Sequence, residues 1–269
     1  MSKERLDVLL VKRNLIDTRE KAKRLIMAGQ VFSENERLDK PGVKVDESIP
    51  LTVKGQLPYV SRGGFKLEKA LQTFDVSVEN KIMVDIGSST GGFTDCALQN
   101  GANLVYAIDV GYNQLDWKLR SDDRVIVRER TNFRHVEQSF FDKGLPSFAT
   151  IDVSFISLKI ILPVLKTIAQ NGTDVIALIK PQFEAEREQV GKKGVIKDKK
   201  VHVEVLEKII SFVENEGMMC KNLSFSPITG GEGNIEFLAH LYIDEIVDIS
   251  TPIMDKIPDI VKEAHDTLK

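Results

Sequence analysis

KIMVDIGSSTGGFTD, residues 81–95, joins a short apolar run to a glycine-rich turn and then to the start of a helix that should reach about Asn100. Strand, tight turn and helix in that order open an α/β unit whose turn faces a ligand. Aligned on Gly87 and Gly92, the middle glycine of the dinucleotide fingerprint G-x-G-x-x-G is Ser89. That glycine lets a pyrophosphate approach the backbone, so its replacement disfavours a dinucleotide and favours a nucleoside without phosphate.

The alternation continues outward. LVYAID (104–109), VIVRE (125–129), FATIDV (148–153) and DVIALIK (174–180) read as further strands, with a helix over Leu158–Ala169 between the last two. A helix over Val201–Glu216 precedes MCKNLSFS (219–226) and EFLAHLYI (236–243). This order predicts an α/β fold with a mostly parallel, doubly wound sheet, and ligands in such sheets sit at the carboxyl ends of the strands. Asp109 ends the second strand, where a carboxylate can accept both hydroxyls of a ribose; its alternative role is an N-cap for the next helix.

Four charged residues stand at the edges of apolar or glycine-rich segments: Lys66 in SRGGFKL, Asp152 in IDVSF, Lys180 in ALIKPQF and Glu236 in GNIEFL. Burying an unpaired charge is costly, so such placement predicts that they meet in one cleft. Singly, each has an ordinary role as a helix-surface lysine, a turn cap, an exposed strand end or a partner for an arginine.

The pair DIGSSTGG and VYAID resembles the S-adenosylmethionine site of Rossmann-like methyltransferases. The resemblance implies that Asp85, Gly87, Ser88, Ser89, Gly91 and Phe93 surround the methionine part, that Asp109 holds the ribose, and that Asn132 lies near the adenine, with no metal. The ordered set Lys66, Asp152, Lys180 and Glu236 resembles the tetrad of the FtsJ-type ribose 2'-O-methyltransferases, a match spanning most of residues 60–245. A ribose hydroxyl is a poor nucleophile at neutral pH, so in-line attack on a sulfonium methyl benefits from a base, and Lys180 is the candidate. Desolvation and the neighbouring Lys66 favour its neutral amine, whereas Asp152 and Glu236 favour the ammonium. Amino-methylating enzymes carry Asp/Asn-Pro-Pro-aromatic where this chain has Asp152-Val153-Ser154-Phe155. Carbon-5 methylation of cytosine needs a nucleophilic cysteine, but Cys96 and Cys220 fall within a predicted helix and strand as core thiols.

The N-terminal region has a different pattern. Leu6, Leu9, Leu10 and Val11 suit a helix over residues 5–13, and a second helix should run from about Thr18 to Ala28, with Asp17 and Glu20 as a capping box and Gly29 as its stop. Strands are expected around Gln30–Ser33 and Ser48–Val53, with a Lys40-Pro41-Gly42 turn between them. The run RLDVLLVKRNLIDTREKAKRLIMAGQVF, followed by KPGVKV, resembles the α-L RNA-binding domain. That resemblance implies phosphate contacts from Arg5, Lys12, Arg13, Arg19, Lys23, Arg24 and Lys40, which set position more than sequence. Residues 1–60 hold 12 Lys and Arg against 9 Asp and Glu, the remainder 25 against 31, a modest basic excess in a chain of net charge −3.

The fusion of an α-L domain (1–58) through a linker (59–63) to an FtsJ-like domain (64–269) resembles the TlyA family of ribosomal RNA 2'-O-methyltransferases, long labelled haemolysins. The family implies a cytidine ribose in large-subunit or small-subunit RNA as substrate and ribosomal RNA or ribosomal subunits as partner. Pro58 and the Gly63-Gly64 pair mark the boundary, Phe65, Leu67, Leu71 and Phe74 a helix beyond it, and Tyr59 a residue for docking one domain on the other. The rivals are a haemolysin acting on membranes, which would need an apolar span, insertion helix or secretion signal, and a catalytically silent ribosome-assembly factor. The apolar stretches VIALI and FISLKIILPVL are too short to span a bilayer and MSKERLD lacks a signal core, which predicts a cytoplasmic protein. Two distant cysteines suggest neither a disulfide framework nor a zinc site. The charged segment EAEREQVGKKGVIKDKK (184–200) reads as a loop able to close over cofactor or RNA and mobile without RNA. A last helix, about Thr251–Leu268, adds no functional clue.

Overall fold

The computed structural model describes residues 3–13, 15–16, 18–34, 36–55, 58–245 and 253–268. It divides into two compact units, Met1–Pro58 and Tyr59–Lys269.

In the first unit the order is β1 (Lys3–Arg5), α1 (Leu6–Lys12), α2 (Arg19–Met27), β2 (Val31–Ser33), β3 (Glu36–Arg37), β4 (Lys44–Asp46) and β5 (Thr52–Val53). Leu6, Leu10, Ile16, Ala22, Ile26 and Val31 form its core. The cap of α2 is Thr18, whose side chain accepts from the Lys21 N–H; Asp17 lies outside the described residues. The expected strand over Ser48–Val53 is corrected to Thr52–Val53, because Asp46 folds Ser48 into a turn by accepting from both its N–H and its hydroxyl. Lys44–Asp46 instead pairs antiparallel with Lys3–Arg5, and β3, β2 and β5 form a separate small sheet.

The second unit runs α3 (Gly64–Phe74), β6 (Ile82–Ile86), α4 (Gly92–Gln99), β7 (Leu104–Ile108), α5 (Trp117–Arg120), β8 (Val125–Arg128), β9 (Phe148–Ile151), α6 (Leu158–Ile168), β10 (Thr173–Ile179), α7 (Pro181–Glu184), α8 (Lys199–Asn215), β11 (Met219–Phe225), β12 (Phe237–Ile243) and α9 (Ile253–Thr267). Seven strands form one sheet in the order β11-β12-β10-β9-β6-β7-β8. It is Rossmann-like and mixed: β12 runs antiparallel to both β10 and β11, and the other pairs are parallel. Alternate residues supply the two faces. Val84, Ile86, Val175 and Ala177 pack on the side of α6, α8 and α9, while Met83, Ile176 and Leu178 pack on the side of α3 and α4.

Helix α8 shows why these residues fold so. His202, Val205, Leu206, Ile209, Ile210 and Val213 recur at helical spacing on one buried stripe, Asp198 caps its start, and each large aliphatic contributes about 1.5–3 kcal/mol on burial. Strands β7, β8, β9 and β10 stop earlier than expected, leaving Asp109, Glu129, Asp152 and Lys180 beyond the ladder. A charged side chain at the carboxyl rim gains solvent and partners there that a paired interior position would deny it.

Candidate active site

Parallel pairing sets the rim. Ile86 lies opposite Ile151, so the Gly87 turn emerges beside Asp152, whose N–H donates to the Ile86 carbonyl at 3.0 Å. Ala177 lies opposite Ile151 and Ile179 opposite Phe237, which carries Lys180 and Glu236 to the same edge although β12 runs the other way. Lys66 arrives from the first turn of α3. At Gly87, with φ 84°, an added Cβ would stand 2.6 Å from the Asp152 carbonyl oxygen, so only glycine fits this approach.

The four charged side chains converge. Lys66 Nζ lies 2.8 Å from Glu236 Oε2 and 3.4 Å from Asp152 Oδ2, and Lys180 Nζ lies 2.5 Å from Asp152 Oδ1. Lys66 and Glu236 are almost wholly buried, whereas the Asp152 side chain keeps 20% exposure toward the cleft. Burial pushes the Lys66 amine down, but Asp152 and Glu236 outweigh it and hold its pKa above the usual lysine value. Burial likewise pushes Asp152 up, and Lys66 and Lys180 outweigh it, leaving its carboxyl below the usual range.

Two clefts meet at this point, sharing Gly87, Ser89, Asp152 and Ser154. The first, about 370 Å³, holds the four charged residues together with Ser88, Phe93, Arg62 and Gly230. The second, about 420 Å³, has walls of Ile86, Ile108, Val110, Phe133 and Val153, with Asp109 and Asn132 among them. An apolar box with a carboxylate and an amide fits a flat adenine joined to a ribose, and the Ser88 hydroxyl lines the adjoining cleft where a methionine part would lie. The donor set therefore suits S-adenosylmethionine.

Asp109 Oδ2 accepts from the Ser89 N–H at 2.8 Å and Oδ1 from the Gly111 N–H at 2.7 Å, so it also fixes the glycine turn. Asp85 and Gly91 do not line either cleft. Asp85 is fully buried beneath the turn and accepts from the Thr94 N–H and hydroxyl and from the Thr150 hydroxyl. Burial, opposed by those hydrogen bonds, pushes its carboxyl up to about 6. Gly91, φ 95°, faces the Leu115 and Leu119 side chains.

Other lining or supporting residues escape sequence reading. Ser154 Oγ accepts from Lys180 Nζ at 3.2 Å, and Gln182 Nε2 donates to Glu236 Oε1 at 3.4 Å. At Gly230 a Cβ would meet Glu236 Oε1 at 2.1 Å, so any side chain there would displace that carboxylate. The run TGGEGN was the available signal for the last; a serine or glutamine at a rim carries none.

The first unit's basic residues are largely paired within it. Arg5 and Arg19 both hold Asp7, at 3.0 and 2.8 Å; Lys12 pairs with Glu47 and Lys23 with Glu20; Arg13 donates to the carbonyls of Glu47 and Ile49. Arg24 and Lys40 are exposed. Tyr59 is buried in the core of the second unit, and its hydroxyl donates to Glu68. Cys96 and Cys220 are buried, and burial pushes each thiol up to about 12.

Residues 59–242 match the FtsJ-like methyltransferase model, and residues 4–48 match the S4 domain. The chain belongs to the FtsJ-like methyltransferase family. It is 65% identical over 269 residues, 99% of this chain and 96% of the relative, to a Bacillus subtilis (strain 168) protein provisionally named the rRNA methyltransferase YqxC. It is 38% identical over 239 residues, 88% of this chain and 89% of the relative, to the 16S/23S rRNA (cytidine-2'-O)-methyltransferase TlyA of Mycobacterium tuberculosis (strain CDC 1551 / Oshkosh). A solved Streptococcus thermophilus structure, provisionally named a haemolysin, superposes with a TM-score of 0.76 at 55% identity, covering 99% of this chain and 97% of that one. This methyltransferase therefore takes S-adenosylmethionine as cofactor, in the fold and family that the sequence resemblance implied. Among the described residues no helix is long and apolar enough to cross a membrane.

Proposed function

We propose that this methyltransferase places a methyl group on the 2'-oxygen of a cytidine ribose in ribosomal RNA. The observation that carries the reading is the convergence of Lys66, Asp152, Lys180 and Glu236 where the two clefts meet. The names of the Mycobacterium tuberculosis and Bacillus subtilis relatives support ribosomal RNA, and the former supports cytidine.

S-adenosylmethionine, when bound, supplies an electrophilic methyl group on a sulfonium. Asp109 and Asn132 would hold the nucleoside end, and Gly87, Ser88, Ser89 and Phe93 would border the methionine end. Lys180 is the base we assign to the 2'-hydroxyl. Lys66 is bridged by both carboxylates, whereas among the described residues Lys180 pairs with Asp152 alone, so loss of the Lys180 proton leaves Lys66 to balance the pair. Asp152 orients both amines, and Glu236 fixes Lys66 from the far side. The S4-matching unit would supply phosphate contacts through Arg24 and Lys40 and the exposed edges of Arg5, Lys12, Arg13, Arg19 and Lys23. This reading sets the protein among ribosomes in the cytoplasm.

The test is incubation with methyl-labelled S-adenosylmethionine and purified ribosomal subunits or free RNA, followed by mapping of 2'-O-methyl groups. Label at a cytidine ribose, lost in Lys180→Ala while RNA affinity stays, is the expected result. Label on a base, or none in RNA, rejects the reading.

A further inference from the structure

Between α7 and α8 the chain leaves the rim and returns through a loop anchored at separate points. Gln189 Nε2 donates to Glu204 Oε2 of α8 at 2.9 Å, and Ile196 is buried. The remaining anchor is Asn234, 4% exposed in the TGGEGN turn. Its Oδ1 accepts from the Ile196 N–H at 3.1 Å, and its Nδ2 donates to the Gly194 carbonyl at 2.9 Å and the Gly231 carbonyl at 3.1 Å. One amide thus ties two loops about 40 residues apart in sequence. A buried amide with these bonds satisfied is expensive to replace.

What the amide holds is informative. Residues 190–197, VGKKGVIK, contain three lysines and no acidic residue. Lys192, Lys193 and Lys197 are exposed, and none forms an ion pair with a described residue, whereas nearby Lys199 pairs with Asp266 at 3.6 Å. On the other side of the amide, Gly231 and Gly230 line the first cleft, and Gly230 abuts the Glu236 carboxylate. A loop whose only purpose was to connect two helices would need neither unpaired cations at its tip nor a buried amide fastening it to the cleft wall.

We propose that Asn234 is a positioning residue that clasps a lysine-tipped, phosphate-binding loop to the cleft wall carrying Glu236. Lys192, Lys193 and Lys197 contact phosphates of the RNA strand that presents its ribose to the cleft, and the clasp fixes those contacts relative to Lys66 and Glu236. The inference rests on RNA being the substrate of this site.

The test is equilibrium binding of the full-length protein to purified large-subunit ribosomal RNA across a salt series. Replacing Lys192, Lys193 and Lys197 together by alanine should lower the slope of log affinity against log salt by about 2, from roughly 0.7 per phosphate contact on single strands. Asn234→Ala keeps every lysine, yet should weaken RNA binding about tenfold at unchanged S-adenosylmethionine affinity. Adding the lysine changes to Asn234→Ala should then cost less than the same changes cost the wild type, because the released loop has already lost part of those contacts. An unchanged slope in the lysine variant, or full additivity of the two sets, overturns the proposal, as does an Asn234→Ala effect confined to melting temperature. Wild-type protein that binds this RNA without methylating it rejects the methylation reading, while the slopes still judge the clasp.

Discussion

Lys66 Nζ lies 2.8 Å from Glu236 Oε2 across 170 positions of sequence, inside the rim where β10 and β12 end and begin. The pair is buried and, among the described residues, Lys66 has one other carboxylate, Asp152 at 3.4 Å. Glu236→Gln keeps the shape and removes the charge. Lys66 then draws on Asp152 and loosens the hold of Asp152 on Lys180. Methyl transfer should fall by about 100-fold or more, the range for losing an acid–base function, at unchanged S-adenosylmethionine affinity. Single-turnover assays with calorimetry of cofactor binding decide it, and a variant of full activity would remove Glu236 from the mechanism.

Asp85 and Asp174 are carboxylates with opposite pH consequences. Burial raises Asp85 to about 6, above its unfolded value of 3.8, so its ionised form opposes folding above pH 6 and that cost fades as pH falls toward 4. The wild type should therefore gain on Asp85→Asn as pH drops from 7 to 4, by an amount on the order of 3 kcal/mol. Denaturant titrations at several pH values measure the difference. A constant gap would mean that Asp85 titrates normally.

Asp174 shows the reverse. Burial pushes it up, but His240 Nε2 at 2.9 Å and Lys81 Nζ at 2.8 Å outweigh burial and bring it to about 2. Its stabilisation is present above pH 3.8 and lost as pH falls toward 2. Asp174→Asn should cost about 2 kcal/mol at pH 7, and its unfolding curve should converge on the wild type near pH 2. Persistence of the gap at pH 2 would refute the assignment.

Asp109 accepts one backbone N–H on each oxygen while lining the apolar cleft. Asp109→Ala leaves the Ser89 and Gly111 N–H groups without that acceptor and removes the group assigned to the ribose. Loss of charge-assisted bonds of about 1.5–3 kcal/mol corresponds to roughly 10- to 100-fold weaker S-adenosylmethionine binding. RNA affinity should not change. Equal weakening of both would show that Asp109 merely supports the fold.

The sheet was legible because the strands of the second unit other than β11 are apolar runs closed by a glycine or a charge, and because Gly87 marks a turn where backbone approaches backbone. The four charged residues were legible as a set for a related reason: each stands at the edge of an apolar or glycine-rich segment. Direction was not, since the run FLAHLYI reads the same parallel or antiparallel, and only its pairing with β10 and β11 shows that it is reversed. Asp85 sits in the same motif as Ser88 yet is buried, because β6 is covered on both faces and Ser88 lies in the turn beyond its end, and of the two threonines that Asp85 meets Thr150 stands 65 positions away. Nor does sequence reveal that Arg5 and Arg19 share one buried carboxylate; RNA-facing and self-paired arginines have the same composition.

That shared carboxylate decides how RNA binding by the first unit is to be tested. Burial pushes Asp7 up, and the Arg5 and Arg19 hydrogen bonds outweigh it, leaving its carboxyl below the usual range. Arg19→Glu would set a second carboxylate against Asp7 and loosen the unit itself, so weaker RNA binding would follow for the wrong reason. Arg24 and Lys40 are exposed and form no ion pair with a buried carboxylate among the described residues, so Arg24→Ala and Lys40→Ala should leave the melting temperature in place. Each lost phosphate contact should lower the slope of log affinity against log salt by about 0.7–0.9. Such contacts position the RNA without reading its bases, so the loss should be uniform across RNA sequences and the methylated site should not move. If both variants bind as the wild type does at low salt, the RNA lies on another face of the unit.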